Sequence, residues 1–126
     1  MLSISHRLKK NVCLIYIEGN ITREVSQQLA DYCQPFLLDE HLPGIVINLE
    51  KSPYMDSHGV STLVSLFKQL QKRNASLILC HLNQKFLQVL TNIGLSDIFK
   101  ICKTEKEALH HIMIEKAIAK PKAIKI

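Results

Sequence analysis

The most reactive combination of side chains in this sequence is Asp56-Ser57-His58, preceded by Ser52-Pro53-Tyr54-Met55 and followed by Gly59-Val60. A carboxylate, a hydroxyl and an imidazole are the residue types of a hydrolytic triad. Consecutive residues at a helix start diverge, however, and no G-x-S-x-G elbow encloses the serine, so nucleophilic catalysis is not expected. No G-x-x-x-x-G-K-[ST] loop is present to bind a nucleotide triphosphate. A receiver-type aspartyl phosphate needs an acidic cluster after the first strand, where this chain has Glu18 and then Gly19-Asn20. A hydroxyl at a helix start is better suited to receiving a phosphate. Unpaired first-turn amides and the positive end of the helix dipole favour an anion there by about 0.3–2 kcal/mol. The plainer reading is an N-cap, with Asp56 or Ser57 accepting from first-turn amides, worth about 0.5–2 kcal/mol.

The surrounding pattern must place that serine. Ile4 to Leu8 and Val12 to Glu18 read as a strand pair. Thr22 is a plausible N-cap for a first helix carrying Val25, Leu29, Tyr32, Cys33 and Phe36, which Pro35 is expected to kink or end near Gln34. After Pro43-Gly44 comes a strand at Ile45 to Leu49, then a helix from Ser57 to Lys72, then an apolar strand within Ala75 to Leu82. On the Ser57 helix, Val60, Leu63, Val64, Phe67 and Leu70 form one stripe toward the sheet. Ser57, Ser61 and Ser65 are left outside, with Leu66 at the margin. A third helix over Asn83 to Asn92, a strand at Ile98 to Cys102, and a last helix opened by the Thr104/Glu107 capping box complete the chain. That helix carries Ala108, Leu109, Ile112 and Met113 as its apolar residues.

Alternating strands and helices predict an α/β fold: one domain with a central mixed, mostly parallel sheet of about five strands packed with about four helices. Residues 1–116 are assigned to the domain and 117–126 to a short basic tail. The 126 residues with 47% hydrophobic content suffice for one core. No apolar run approaches the length of a membrane span and no leader pattern opens the chain, so a cytoplasmic protein without membrane insertion is expected. Cys13, Cys33, Cys80 and Cys102 are scattered singly and read as buried free thiols; no metal or cofactor is expected. A good part of the +5 net charge comes from the chain ends, and no basic-aromatic patch points to nucleic acid.

Met55-Asp56-Ser57-His58-Gly59-Val60 resembles the M/I-D-S-x-G-L/V motif of STAS domains of the anti-sigma-factor antagonist type. Leu77 to Cys80, the Val89-Leu90 to Ile98-Phe99 segment and Gly19-Asn20-Ile21-Thr22 resemble further elements of that family, over most of residues 10–115. The chain departs from the pattern at His58, where Ser or Thr is usual, and at Thr22, where an acid is common. His58 reads as an exposed bystander.

The resemblance implies a bacterial, non-enzymatic regulator acting by partner switching, with Ser57 as its phosphorylation site. The unphosphorylated form would bind an anti-sigma factor that is a serine kinase and free a sigma factor; a serine phosphatase would reset it. Met55, Asp56, His58, Ser61, Ser65 and Leu66 are the candidate contacts, and a monomer or weak dimer is expected. The alternative is a STAS scaffold that is not phosphorylated, as in a stressosome or as an accessory subunit of a lipid-transport ATPase.

Overall fold

The structure, a computed structural model, describes residues 2–119. Its elements follow in the order β1 (Ser3–Lys9), β2 (Val12–Glu18), α1 (Arg23–Leu37), β3 (Gly44–Lys51), α2 (Ser57–Gln71), β4 (Ser76–Cys80), α3 (Gln84–Asn92), β5 (Lys100–Cys102) and α4 (Glu105–Ala119). In space the sheet keeps the same order, β1-β2-β3-β4-β5. β1 runs antiparallel to β2, and every later pair is parallel. The expected α/β architecture, with five strands and four helices, is the one observed.

All three β-α-β crossovers step across the sheet in one direction, so a common right-handed sense puts α1, α2 and α3 on a single face. That face holds the larger core, built from Cys13, Ile15, Ile45, Ile47, Leu77 and Leu79 of the sheet with Leu29, Leu63, Leu66 and Leu70 of the helices. The opposite face is covered by α4, whose Ala108, Leu109 and Ile112 lie on Val12, Leu14, Val46 and Ile78. Covering on both faces explains why the central β3 and β4 are nearly continuous apolar runs. Cys13, Cys33 and Cys80 are buried free thiols, pushed up by burial to about 11, about 12 and about 12 respectively; Cys102 is half-buried.

Several local expectations are corrected. Pro35 does not end the first helix near Gln34, and the helix continues to Leu37. The proline sits in the last turn, and the Arg73 guanidinium donates to the terminal carbonyls of Phe36 and Leu37 at 3.2 Å each. The last strand starts only at Lys100, because Ile98 and Phe99 turn back to the Leu95 carbonyl. Met113 is 43% exposed and borders the open groove between β1 and α4, whereas Leu109 and Ile112 are buried. α4 extends to Ala119, so residues 117–119 of the expected tail continue the helix, and residues 120–126 lie outside the described residues. The Thr104/Glu107 box forms with its return arm displaced by one residue: Glu107 N donates to Thr104 Oγ1 at 3.2 Å, and Lys103 N donates to Glu107 Oε2 at 3.2 Å.

Candidate functional site

β3 delivers the chain to the carboxyl edge of the sheet, where the segment Ser52–Asp56 crosses to α2. This segment is fastened to the stretch before α1: Gly19 N donates to Lys51 O, Ile21 N to Tyr54 O, and Asp56 N to Ile21 O, at 3.0–3.1 Å. Ile21 and Met55 thereby form an isolated parallel bridge. From the other side, Asn83 Nδ2 donates to Pro53 O at 2.9 Å, while Asn83 Oδ1 accepts from Phe86 N at 2.7 Å and caps α3. The starts of α1, α2 and α3 are therefore tied together around one loop.

Asp56 joins two of them. Its Oδ1 accepts from His58 N and Gly59 N at 3.0 Å each, and its Oδ2 accepts from Arg23 N, the first residue of α1, at 2.9 Å. Thr22 occupies the N-cap position of α1 but makes no side-chain cap bond, so the expected cap of α1 is supplied by a carboxylate 34 positions later. The hydrogen bond from the Gly59 amide, opposed by partial desolvation and aided by the Arg23 and His58 amides, holds the Asp56 carboxyl below the ordinary carboxylate range.

A depressed native pKa means that the unfolded chain takes up the proton first. The Asp56 contribution is thus complete above the ordinary aspartate value near 4 and is lost as the pH falls through the lower native value. Asp56→Ala is expected to lower Tm at neutral pH by about 5 °C, with the gap to wild type closing in acid. Thermal melts of both proteins at neutral pH and at about pH 3 check this.

Ser57 is the first residue of α2 and is exposed, and its hydroxyl makes no hydrogen bond among the described residues. Three of the first-turn amides expected to be open for a phosphate are in use: Asp56 takes those of His58 and Gly59, and the Asp56 carbonyl takes that of Val60. A group on Ser57 therefore projects to solvent beside a fixed carboxylate. Asp56 binds backbone amides and not the His58 ring, so these three residues do not assemble a nucleophile–base–orienter chain.

Two candidate contacts are corrected. Met55 is 8% exposed and held by the bridge to Ile21, and Leu66 is 2% exposed. The α2 stripe is rotated from its expected centre: Gly59, Leu63, Leu66 and Leu70 are buried, whereas Val60, Val64 and Phe67 are half-buried. α2 packs closely on α1 and only sparsely on α3, so the α1-side flank goes under and the other stays partly open. His58, Ser61 and Ser65 are exposed as expected. Tyr54, 55% exposed in the same loop, is a surface residue that the pattern of the helix alone did not reveal.

An α/β domain carrying a polar loop and a serine-bearing helix start at the carboxyl edge of its sheet is the class to which these observations lead. The STAS domain family model matches residues 3–108, and the chain belongs to the STAS family. Within it, the chain is similar to the anti-sigma-B factor antagonist of Listeria monocytogenes, at 32% identity over 95 residues covering 74% of this chain and 81% of the relative. In fold it matches an anti-sigma factor antagonist from Mycobacterium paratuberculosis, with a TM-score of 0.80 at 18% identity over 90% of this chain and 95% of the other. It also matches the Bacillus cell fate determinant SpoIIAA in its phosphorylated form, with a TM-score of 0.68 at 19% identity over 87% and 99%. Among the described residues, no helix is long and apolar enough to cross a membrane.

Proposed function

We propose that this protein is an anti-sigma factor antagonist that works by partner switching, with Ser57 as the phosphorylated residue. The observation that carries the reading is the placement of Ser57: an exposed, unengaged hydroxyl on the first turn of α2, whose neighbouring amides Asp56 already satisfies. The name of the Listeria relative supports the partner class. Unphosphorylated protein binds an anti-sigma factor serine kinase through Ser57, His58, Ser61, Ser65 and the adjoining Tyr54, and a sigma factor is released. Met55 and Asp56 act from beneath by fixing the loop.

In the proposed phosphorylation step the Ser57 oxygen attacks the γ-phosphorus of ATP held by the kinase, the bond to the β-phosphate breaks, ADP leaves, and the hydroxyl proton passes to a base of the kinase. The product carries about −1.5 to −2 charge at neutral pH next to Asp56. The His58, Gly59 and Val60 amides are already engaged, so the charge falls on the docked surface and weakens binding. A serine phosphatase restores the binding form.

Incubation of the protein with its cognate kinase and ATP is expected to add one phosphate, located at Ser57 by peptide mass spectrometry and lost in Ser57→Ala. A partner that binds without any phosphate appearing at Ser57 would instead favour a constitutive scaffold.

A further inference from the structure

The edge of the sheet at β1 lies two strands away from β3 and plays no part in the function proposed above. β1 pairs with β2 through seven consecutive residues without a bulge. Among the described residues no strand adjoins its outer edge, which leaves main-chain donors and acceptors there for an added strand.

The side chains of β1 differ sharply between its two faces. On the α1 side, Ile4 packs on the core and the His6 ring lies 4.7 Å from that of Phe36. Leu8, two residues further on the same face, is 62% exposed. On the α4 side, Ser3, Ser5, Arg7 and Lys9 border an open groove whose other wall includes Glu105 and Lys106. Arg7 is engaged there, donating to Tyr16 Oη at 3.0 Å and pairing with Glu105 at 3.7 Å. Glu105 in turn accepts from Asn48 at 2.8 Å, Glu18 pairs with Lys51, and Glu107 accepts from the Lys103 amide. Lys9, Lys10 and Lys106 form no ion pair among the described residues, against two carboxylates on the groove that also lack a cationic partner there, Glu50 and Glu107. The free charge beside β1 is positive.

We propose that β1 is a docking edge for an extended acidic segment of a partner protein, which adds as a sixth strand. Its apolar side chains lie beside Ile4 and Leu8, and its alternate carboxylates lie beside Lys9 and Lys10. Main-chain hydrogen bonds supply the attachment and the two faces of β1 select the alternating pattern. A second copy of this chain is the poorer occupant, because an antiparallel β1 pair centred on His6 would set Arg7 opposite Ser5 and Lys9 opposite Ser3 and would bring no carboxylate to either.

The test uses the full chain and a fluorescent, acetylated heptapeptide of alternating valine and glutamate. Saturable binding is expected, with backbone amide shifts confined to residues 3–9 and their β2 neighbours. Affinity is expected to drop about 10-fold or more in the Lys9→Glu, Lys10→Glu double variant. Methylating alternate nitrogens of the peptide, which leaves the protein untouched, should weaken binding comparably. The proposal is overturned by absence of saturable binding up to about 1 mM peptide, by equal binding of the methylated peptide, by shifts centred on α2, or by a wild-type dimer whose concentration-dependent amide shifts map to residues 3–9. None of these outcomes bears on phosphorylation of Ser57, and a Ser57 that is never phosphorylated leaves binding at β1 unaffected.

Discussion

Replacement of Gly59 by alanine is expected to destabilise the fold by about 2 kcal/mol and lower Tm by about 8 °C. In an open helix the same change would raise stability by up to about 1 kcal/mol. Here an added Cβ would lie 2.5 Å from the Ile21 carbonyl oxygen, 2.5 Å from Met55 Cγ and 3.0 Å from Ile21 Cγ2. The carbonyl cannot step aside at small cost, since it accepts from Asp56 N and the neighbouring Ile21 N donates to Tyr54 O. Steric conflict with fixed backbone therefore outweighs helix propensity. The change would also separate the two helix starts that Asp56 joins, so a fall in partner affinity should accompany the lower Tm. Calorimetric melts decide the sign, and a Tm at or above wild type would show that α1 and α2 do not meet as described.

Gly59 also illustrates what the sequence could and could not convey. The motif around it was legible, as were the strand and helix order, because apolar runs in β3 and β4 and helical spacing in α2 are local patterns. The reason for the glycine was not, since it depends on Ile21, which lies 38 positions earlier. The same holds for Asp56, whose bond to the Arg23 amide crosses between elements. Thr22 looks like the cap of α1 from local chemistry alone, and only the third dimension replaces it with Asp56. Periodicity puts Leu66 at the edge of its stripe because it assumes a helix facing a flat sheet. Contact with α1 on one flank turns that face, burying Leu66 and leaving Val60 and Val64 half-open. Pro35 and Ile98 mark the remaining limit: element ends are set by partners such as Arg73 and the Leu95 carbonyl, which propensity does not see.

The second large effect concerns charge. Ser57→Asp is expected to weaken binding to the anti-sigma kinase about 30-fold, equivalent to about 2 kcal/mol, while Ser57→Ala stays within about threefold of wild type. The carboxylate at position 57 would face the partner beside Asp56, and desolvating two adjacent like charges is unfavourable. Both variants should melt close to wild type, because the Ser57 side chain supports no bond in the fold and Asp56 still caps α2. Equal affinities for the Asp and Ala variants would remove charge repulsion as the switching force. A comparable loss in both would mean that the Ser57 hydroxyl itself, and not added charge, sets the affinity.

The central claim is that phosphate on Ser57 controls docking, and it is tested most directly by isothermal titration of the cognate kinase with two preparations of this protein, one unmodified and one phosphorylated at Ser57 alone. The account predicts tight binding of the first and at least about 30-fold weaker binding of the second, with both preparations equally folded. Indistinguishable affinities would contradict it.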